Sequence, residues 1–161
     1  MQDPTGATRY PGYQPAPPPD LAVLTEGALG RRFVAYALDL MIVFGLTLVV
    51  GFAVLVFGLI TFGLAWALFA ILVPGTAILY SAVTVGGPNQ GTVGMRLAGL
   101  RVVDATTGRG TDMLSAGVHA LLFYVAASTL VLLAVDLLIG FARRDARLGH
   151  DVLAGLVAIR R

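Results

Sequence analysis

Charged residues are absent from a long central part of the chain, and this gap defines the first predicted elements. No Asp, Glu, Lys or Arg occurs between Asp39 and Arg96. Such an apolar stretch is longer than a soluble domain of this size can bury, so it is typical of segments that face lipid. Glycine and threonine at residues 58–63 interrupt it weakly. The pattern therefore predicts a hairpin of two transmembrane helices, at about residues 32–57 and 62–85.

A third apolar run predicts another span at about residues 116–141, with Asp112 or Ser115 as its N-cap. The preceding loop, residues 86–115, starts with a GGPNQG turn. Its MRLAGLRVVD stretch predicts a short interfacial element ending in a strand-like piece, followed by a TTGRG turn. The tail at residues 142–161 has an apolar stretch too short to span. We expect it to pack on the membrane face or against the helices, in a protein of the all-α membrane class.

The beginning of the chain has a different composition. Six of the eight prolines fall within the first nineteen residues, together with Gly, Gln and Tyr. This composition predicts a disordered tail over residues 1–26, followed by one membrane domain over residues 27–161. In the second span, Pro74 predicts a bend, and Trp66 and Tyr80 lie where an aromatic belt would place them.

Composition narrows the possible functions. Hydrophobic residues make up 57% of the chain and charged residues 12%, far from the balance of a soluble enzyme. The eleven basic residues, all Arg, flank apolar runs and form no stripe with aromatics, so a nucleic-acid partner is not expected. The chain has no cysteine, which excludes disulfides, thiolate metal sites and a Cys nucleophile. No phosphate-binding loop or nucleophile elbow is present, and we expect neither enzymatic activity nor a cofactor.

The orientation of the spans is ambiguous. Three crossings divide the arginines six against five between the two sides, so the positive-inside rule gives no clear result. A third run that folded back as a re-entrant hairpin would leave every Arg in the cytoplasm. Of the two, a cytoplasmic N-terminus with three crossings is the slightly preferred interpretation.

Polar residues within the apolar runs are the candidate functional residues. Arg32, Ala35 and Asp39 share one face of the first predicted helix. A buried carboxylate inside a membrane is costly, so Asp39 should face other helices. Two interpretations remain open: Asp39 accepts hydrogen bonds from another helix while Arg32 reaches the headgroups, or Asp39 exchanges a proton or cation next to Arg32.

Three further polar residues are secondary candidates. Asp136 is interpreted first as a water-exposed residue at a helix end, and His119 as an interfacial or hydrogen-bonded residue rather than a relay or ligand. His150 and Asp151 are adjacent in sequence and so do not share a helical face. Because no third ligand stands at a recognisable spacing, no metal site is predicted. The remaining candidate, Arg96, lies in the central loop.

Three segments together resemble the RDD family of bacterial integral membrane proteins: GRRFVAYALDLMIV, GTVGMRLAGLRVVDATTG and ARLGHDVLAGLVAIRR, in that order around apolar spans. The resemblance extends from about residue 27 to the C-terminus. It implies that the arginine and two aspartates for which the family is named correspond to Arg32, Asp39 and Asp151.

The chain departs from the family pattern in two places. Where family members usually have Thr-Pro-Gly-Lys, this chain has Thr92, Val93, Gly94 and Met95, and the basic charge moves by one residue to Arg96. Where many members carry an Arg early in the third segment, it has His119.

The resemblance implies a multi-pass protein of the bacterial inner membrane with a role in transport, since sodium–proton antiport is attributed to some members. On that basis Asp39 would be the ion or proton site, Arg32 its charge partner, and Asp151 a gate or second carboxylate. We expect a homo-oligomer or a complex with a membrane partner, because three helices seldom enclose a pathway. The alternative hypothesis is a non-transporting accessory or assembly subunit.

Overall fold

The computed structural model of the protein describes residues 21–161. Residues 1–20, which hold most of the predicted disordered tail, lie outside the described residues. The last part of that predicted tail is ordered: helix α1 spans Leu21–Leu24, and a turn leads from it into the first long helix. Leu24 packs against a small core of Val103, Val157 and Ile159, and Thr25 is buried. The described residues therefore include the last part of the predicted tail, residues 21–26.

Helix α2 forms the first predicted span and is longer than expected. It runs over Ala28–Ile60, 33 residues, and follows Gly27, whose φ of 68° is easily adopted by glycine. At 1.5 Å per residue it is about 50 Å long, more than the hydrocarbon core of a bilayer. Most of its large apolar side chains are exposed, as expected of a helix that contacts lipid.

The second predicted span contains a change of helix type. A 3-10 helix over Leu64–Ile71 continues into α3 over Leu72–Val85. The change lies just before Pro74. The proline ring has no N–H to donate, and in a continuous α-helix it would clash with the carbonyl four residues earlier. The tip of the hairpin is closed by Trp66, whose indole lies directly over Gly58 and donates to the Leu55 carbonyl over 3.3 Å.

The third predicted span is not one helix. Helix α5 covers Met113–Ala127 and helix α6 covers Leu130–Ala142, with a bend of 120° between them. Thr129 is extended and its hydroxyl accepts from Leu132 N, so it caps α6 and starts a new helix. By length and composition, the described residues contain two helices able to cross a membrane, or three spans if the bent pair counts as one.

The protein is mostly helical, but the all-α prediction is wrong in one respect. Helix α4 over Val93–Leu97 leads into strand β1 over Leu100–Asp104, which is the predicted strand-like piece. After α6, helix α7 spans Gly149–Ala154 and strand β2 spans Leu156–Arg160. The strands pair antiparallel, with Val102 opposite Ala158. The C-terminal tail and the central loop therefore lie at the same end of the helices.

Two short-range predictions in this region are confirmed. Asp112 caps α5 by accepting from the backbone N–H groups of Leu114 and Ser115, at 2.8 and 3.0 Å. The TTGRG segment turns the chain, with Asp104 accepting from Thr107 N and Gly108 at a φ of 68°. A buried core links the strands to the helices and consists of Val85, Val102, Ala116, Leu156 and Ala158.

Candidate functional site

Five polar side chains from four helices meet where α7 packs against the membrane helices. We call this set the buried polar cluster: Arg32 of α2, His119 of α5, Asp136 of α6, and His150 and Asp151 of α7. Every one of these side chains is nearly or fully buried. Buried ionisable groups require partners, and here each one contacts another member of the cluster.

Asp151 lies at the centre of the cluster. Its Oδ2 accepts from Arg32 Nη1 in an ion pair and from the backbone N–H of Leu148 at 3.0 Å. Its Oδ1 lies 2.7 Å from His119 Nε2 and 3.4 Å from His150 Nε2. Burial alone would raise the pKa of the Asp151 carboxyl, but the Arg32 charge and the His119 contact hold that pKa well below its ordinary value. The carboxyl is therefore ionised.

Asp136 is the second carboxylate of the cluster, and the interpretation of it as a water-exposed residue is wrong. Only 4% of its surface is exposed. Its Oδ1 accepts from the backbone N–H of His150 at 2.7 Å, and its Oδ2 is 2.9 Å from His150 Nδ1. Because α5 and α6 fold back at their bend, His119 and Asp136 both face the same short helix.

Two glycines allow α7 to approach the bent pair closely. A Cβ at Gly140 would overlap the Leu148 side chain, and one at Gly149 would lie 2.9 Å from Asp136 Oδ1. Gly155, at a φ of 70°, then ends α7 and turns the chain into β2. Small residues in these positions bring the backbone of α7 within hydrogen-bonding distance of Asp136.

Asp39 forms a separate contact point about two helical turns after Arg32 along α2. Its carboxylate accepts from Tyr80 Oη at 2.7 Å, Thr92 Oγ1 at 2.5 Å and Gly94 N at 2.8 Å. The predicted charge pair between Asp39 and Arg32 is not formed, because Arg32 turns to Asp151 instead. These contacts match the part of the first interpretation in which Asp39 accepts hydrogen bonds from another helix. The other part, in which Arg32 reaches the headgroups, is not observed, because Arg32 is buried against Asp151.

The Asp39 contacts also explain why a glycine occupies position 94 of the central loop. A Cβ at Gly94 would collide with the Ala35 carbonyl and lie 2.8 Å from the Asp39 carboxylate. Arg96, two residues further on, belongs neither to this contact point nor to the buried polar cluster. Among residues 21–161, its buried Nε has no hydrogen-bond partner.

A cavity of about 280 Å³ is lined both by members of the buried polar cluster and by Asp39 with its hydrogen-bond partner Tyr80. Arg32, His119, His150 and Asp151 lie at its polar wall, together with Asp39 and Tyr80. The remaining wall is mainly apolar and comes from α2, α5 and α6. Phe123 belongs to that wall, with its ring centroid 5.5 Å from that of Tyr36 and 5.2 Å from that of His150. The cavity is large enough for an ion with some water or for a small solute.

Three atoms of the buried polar cluster are arranged as possible metal ligands. His119, His150 and Asp151 each offer one ligand atom, and these atoms lie within 4.8 Å of one another. No sequence motif predicts this arrangement, because the third ligand comes from α5, about thirty residues before the adjacent pair.

A model of the RDD family matches residues 27–155. The chain belongs to the RDD family. Comparison with curated proteins gave no match, and neither did comparison with solved structures. In this RDD protein, Arg32 and Asp151, which the resemblance assigns to the arginine and the second aspartate of the family name, form an ion pair.

Sequence reasoning placed Arg32, His119 and Asp151 among the candidates in this RDD protein, but it missed His150 as a site residue. The sequence contains only a weak signal for the role of His150. Both histidines of the chain, and an aspartate next to the second one, occur within or just after the third apolar run. Only the bend between α5 and α6 brings these groups together.

Proposed function

We propose that this RDD protein moves a small ion or solute across the membrane and binds it in the cavity between α2, α5 and α6. The observation that carries the proposal is the buried polar cluster at one wall of that otherwise apolar cavity. Intramembrane ionisable groups are costly and usually mark an ion or substrate pathway.

The charges of the cluster favour a cation over an anion. Arg32 carries one positive charge, and Asp136 and Asp151 carry one negative charge each, so the net charge is −1 when both histidines are neutral. A single bound cation compensates this charge. Exchange of Na⁺ for H⁺ is one activity of this kind, and the proposal includes it.

The central loop and the C-terminal tail lie at the same end of the helices, and this position supports one particular topology. Arg31 donates to the Ala98 carbonyl, Arg147 to the Leu156 carbonyl and Arg161 to the Asn89 carbonyl. We infer that α2 and the Leu64–Val85 segment cross the membrane, while α5 and α6 form a re-entrant pair. The ten arginines of the described region then lie on one side, which the positive-inside rule makes the cytoplasmic side of the inner membrane.

Single cysteines in this cysteine-free chain test the topology. Thr106→Cys and Arg144→Cys probe the central loop and the tail, and Leu64→Cys probes the hairpin tip; all three sites are exposed. An impermeant maleimide added to intact spheroplasts should label Leu64→Cys and leave the other two unlabelled until lysis. Labelling of Arg144→Cys together with Leu64→Cys would instead indicate three crossings.

Flux measurements in liposomes test transport itself. Purified protein is reconstituted, and uptake of radioactive Na⁺ is followed with and without an outward proton gradient. Wild type should accumulate Na⁺, and Asp151→Asn should abolish the flux. Asp145→Asn is the matched control, because Asp145 pairs with the partly exposed Arg143 outside the cavity and its loss should leave the flux unchanged.

The alternative is a non-transporting accessory subunit, in which the cluster only holds helices together. No flux of Na⁺, protons or other small solutes in wild type, together with co-purification of a larger complex that Asp151→Asn dissolves, would favour that function. The expectation of an oligomer is tested on the same samples by light scattering in detergent.

A further inference from the structure

We propose that His119, His150 and Asp151 form a binding site for a divalent transition-metal ion of the Zn²⁺ class. Each residue is buried and offers one ligand atom, and these atoms lie within 4.8 Å of one another. Asp151 Oδ1 contacts both His119 Nε2 and His150 Nε2, which makes these three the potential ligand atoms. Two imidazoles and one carboxylate are a frequent ligand set for Zn²⁺ with one open coordination position. The inference concerns binding and does not depend on transport.

The observed distances are close to those of a metal site. Ligands about 2.1 Å from a tetrahedral Zn²⁺ lie roughly 3.4 Å from each other. His150 Nε2 and Asp151 Oδ1 already have this separation, at 3.4 Å. His119 Nε2 is 2.7 Å from the same oxygen, which is a hydrogen-bond distance. A small rotation of the His119 ring would open that contact enough for the ion to enter.

The groups behind the ligands have the arrangement found around metal-bound histidines. Asp136 contacts His150 Nδ1 at 2.9 Å, which fixes the ring and leaves Nε2 available as the ligand atom. Asp151 Oδ2 is occupied by Arg32 and by Leu148 N, so Oδ1 alone faces the two imidazoles. Each ligand is therefore oriented before the ion arrives.

Charge and access also fit a cation at this point. The cluster has a net charge of −1 with neutral histidines, and a divalent ion changes it to +1, which a bound hydroxide or a second anion balances. All three ligand residues line the 280 Å³ cavity, which provides room for a fourth ligand. Nitrogen ligands favour Zn²⁺, Co²⁺ and Ni²⁺ over Na⁺, Mg²⁺ and Ca²⁺, which prefer oxygen.

The composition of the chain makes the test specific. His119 and His150 are the only two histidines, and there is no cysteine, so no other imidazole or thiolate contributes to the signal. The full chain is purified in detergent with a histidine-free tag, treated with a chelator and titrated with Co²⁺. We expect one equivalent of Co²⁺ to produce the intense visible absorption of a tetrahedral site, and Zn²⁺ to bleach it.

Variants separate ligands from neighbours. His119→Gln and His150→Gln should each abolish the Co²⁺ absorption, while Asp145→Asn should leave it unchanged. Asp136→Asn keeps all three ligands but loses the carboxylate behind His150, and should weaken Zn²⁺ binding by about 10- to 100-fold. Circular dichroism and gel filtration show whether each variant is folded.

Two results would overturn the inference. One is folded wild-type protein that gives no tetrahedral Co²⁺ spectrum and no heat of Zn²⁺ binding; this outcome does not depend on any variant being folded. The other is a spectrum that persists in a folded His119→Gln/His150→Gln double variant. Metal binding without any flux in liposomes would leave this inference standing and count against the proposed transport function.

Discussion

Arg32 and Asp151, 119 residues apart in the sequence, form a buried ion pair that joins the first membrane helix to the short C-terminal helix. The pair connects the two ends of the membrane domain. It also sets the orientation of the carboxylate whose other oxygen faces His119 and His150. Arg32 therefore acts on the site through Asp151.

Breaking this pair from one side should strongly destabilise the protein. Arg32→Gln leaves the Asp151 carboxylate buried without its cation, and we expect a loss of about 3–5 kcal/mol in the free energy of unfolding. Thermal or denaturant unfolding in detergent measures it. Arg31→Gln is the matched control, because Arg31 makes an exposed contact to the Ala98 carbonyl and should cost little.

The double variant Arg32→Gln/Asp151→Asn extends the same measurement. It removes both charges, so its loss in unfolding free energy should be smaller than the sum of the losses of the two single variants, and the difference is the coupling energy between the two sites. Additive losses would contradict a direct interaction between Arg32 and Asp151.

A methyl group at Gly94 should separate the central loop from α2. The added Cβ would collide with the Ala35 carbonyl and the Asp39 carboxylate, and displacement of the loop would lose the 2.8 Å bond from Gly94 N to Asp39. We expect Gly94→Ala to cost about 1–3 kcal/mol in unfolding free energy. Gly75→Ala, where no atom lies within 4 Å of the added Cβ, should not destabilise the protein.

Trp66 reports on the tip of the hairpin. It is the only tryptophan, and its indole lies over Gly58. Gly58→Ala should displace the ring, break the Nε1 bond to the Leu55 carbonyl and shift the fluorescence emission maximum. Gly45→Ala lies in the same helix with open space around it, and an equal shift in that variant would contradict the assigned packing.

The cap of α5 should make a small pH-dependent contribution to stability. Hydrogen bonds from Ser115 hold the pKa of Asp112 below its ordinary value of 3.8. The pKa of Asp112 is lower in the folded state than in the unfolded state. The ionised cap therefore contributes its full stabilisation above the unfolded-state pKa, and this contribution is lost as pH falls through the folded-state pKa. Asp112→Asn retains a capping oxygen but cannot titrate.

The difference in melting temperature between wild type and Asp112→Asn, measured from pH 7 to pH 2, checks this prediction. The difference should be constant around neutral pH. Below about pH 4, the melting temperature of wild type should fall relative to that of Asp112→Asn. A change centred between pH 5 and pH 7 would assign the effect to another group.

Several local features were predictable because they depend on neighbours in sequence. The α2 and Leu64–Val85 helices followed from continuous apolar composition, and the Asp112 cap and the Gly108 turn followed from local side-chain chemistry. The break at Thr129 was missed, since one Ser-Thr pair within an apolar run is equally compatible with a continuous helix.

The sequence by itself determined that the protein is a membrane protein, because the cost of placing charge in lipid depends on composition along the chain and not on the fold. It also identified the polar residues that interrupt the apolar runs. Only the tertiary structure decided their partners: Arg32 with Asp151 instead of Asp39, and Asp136 with His150. Partner choice depends on where distant segments meet, and here the bend between α5 and α6 and the pairing of β1 with β2 bring those segments together.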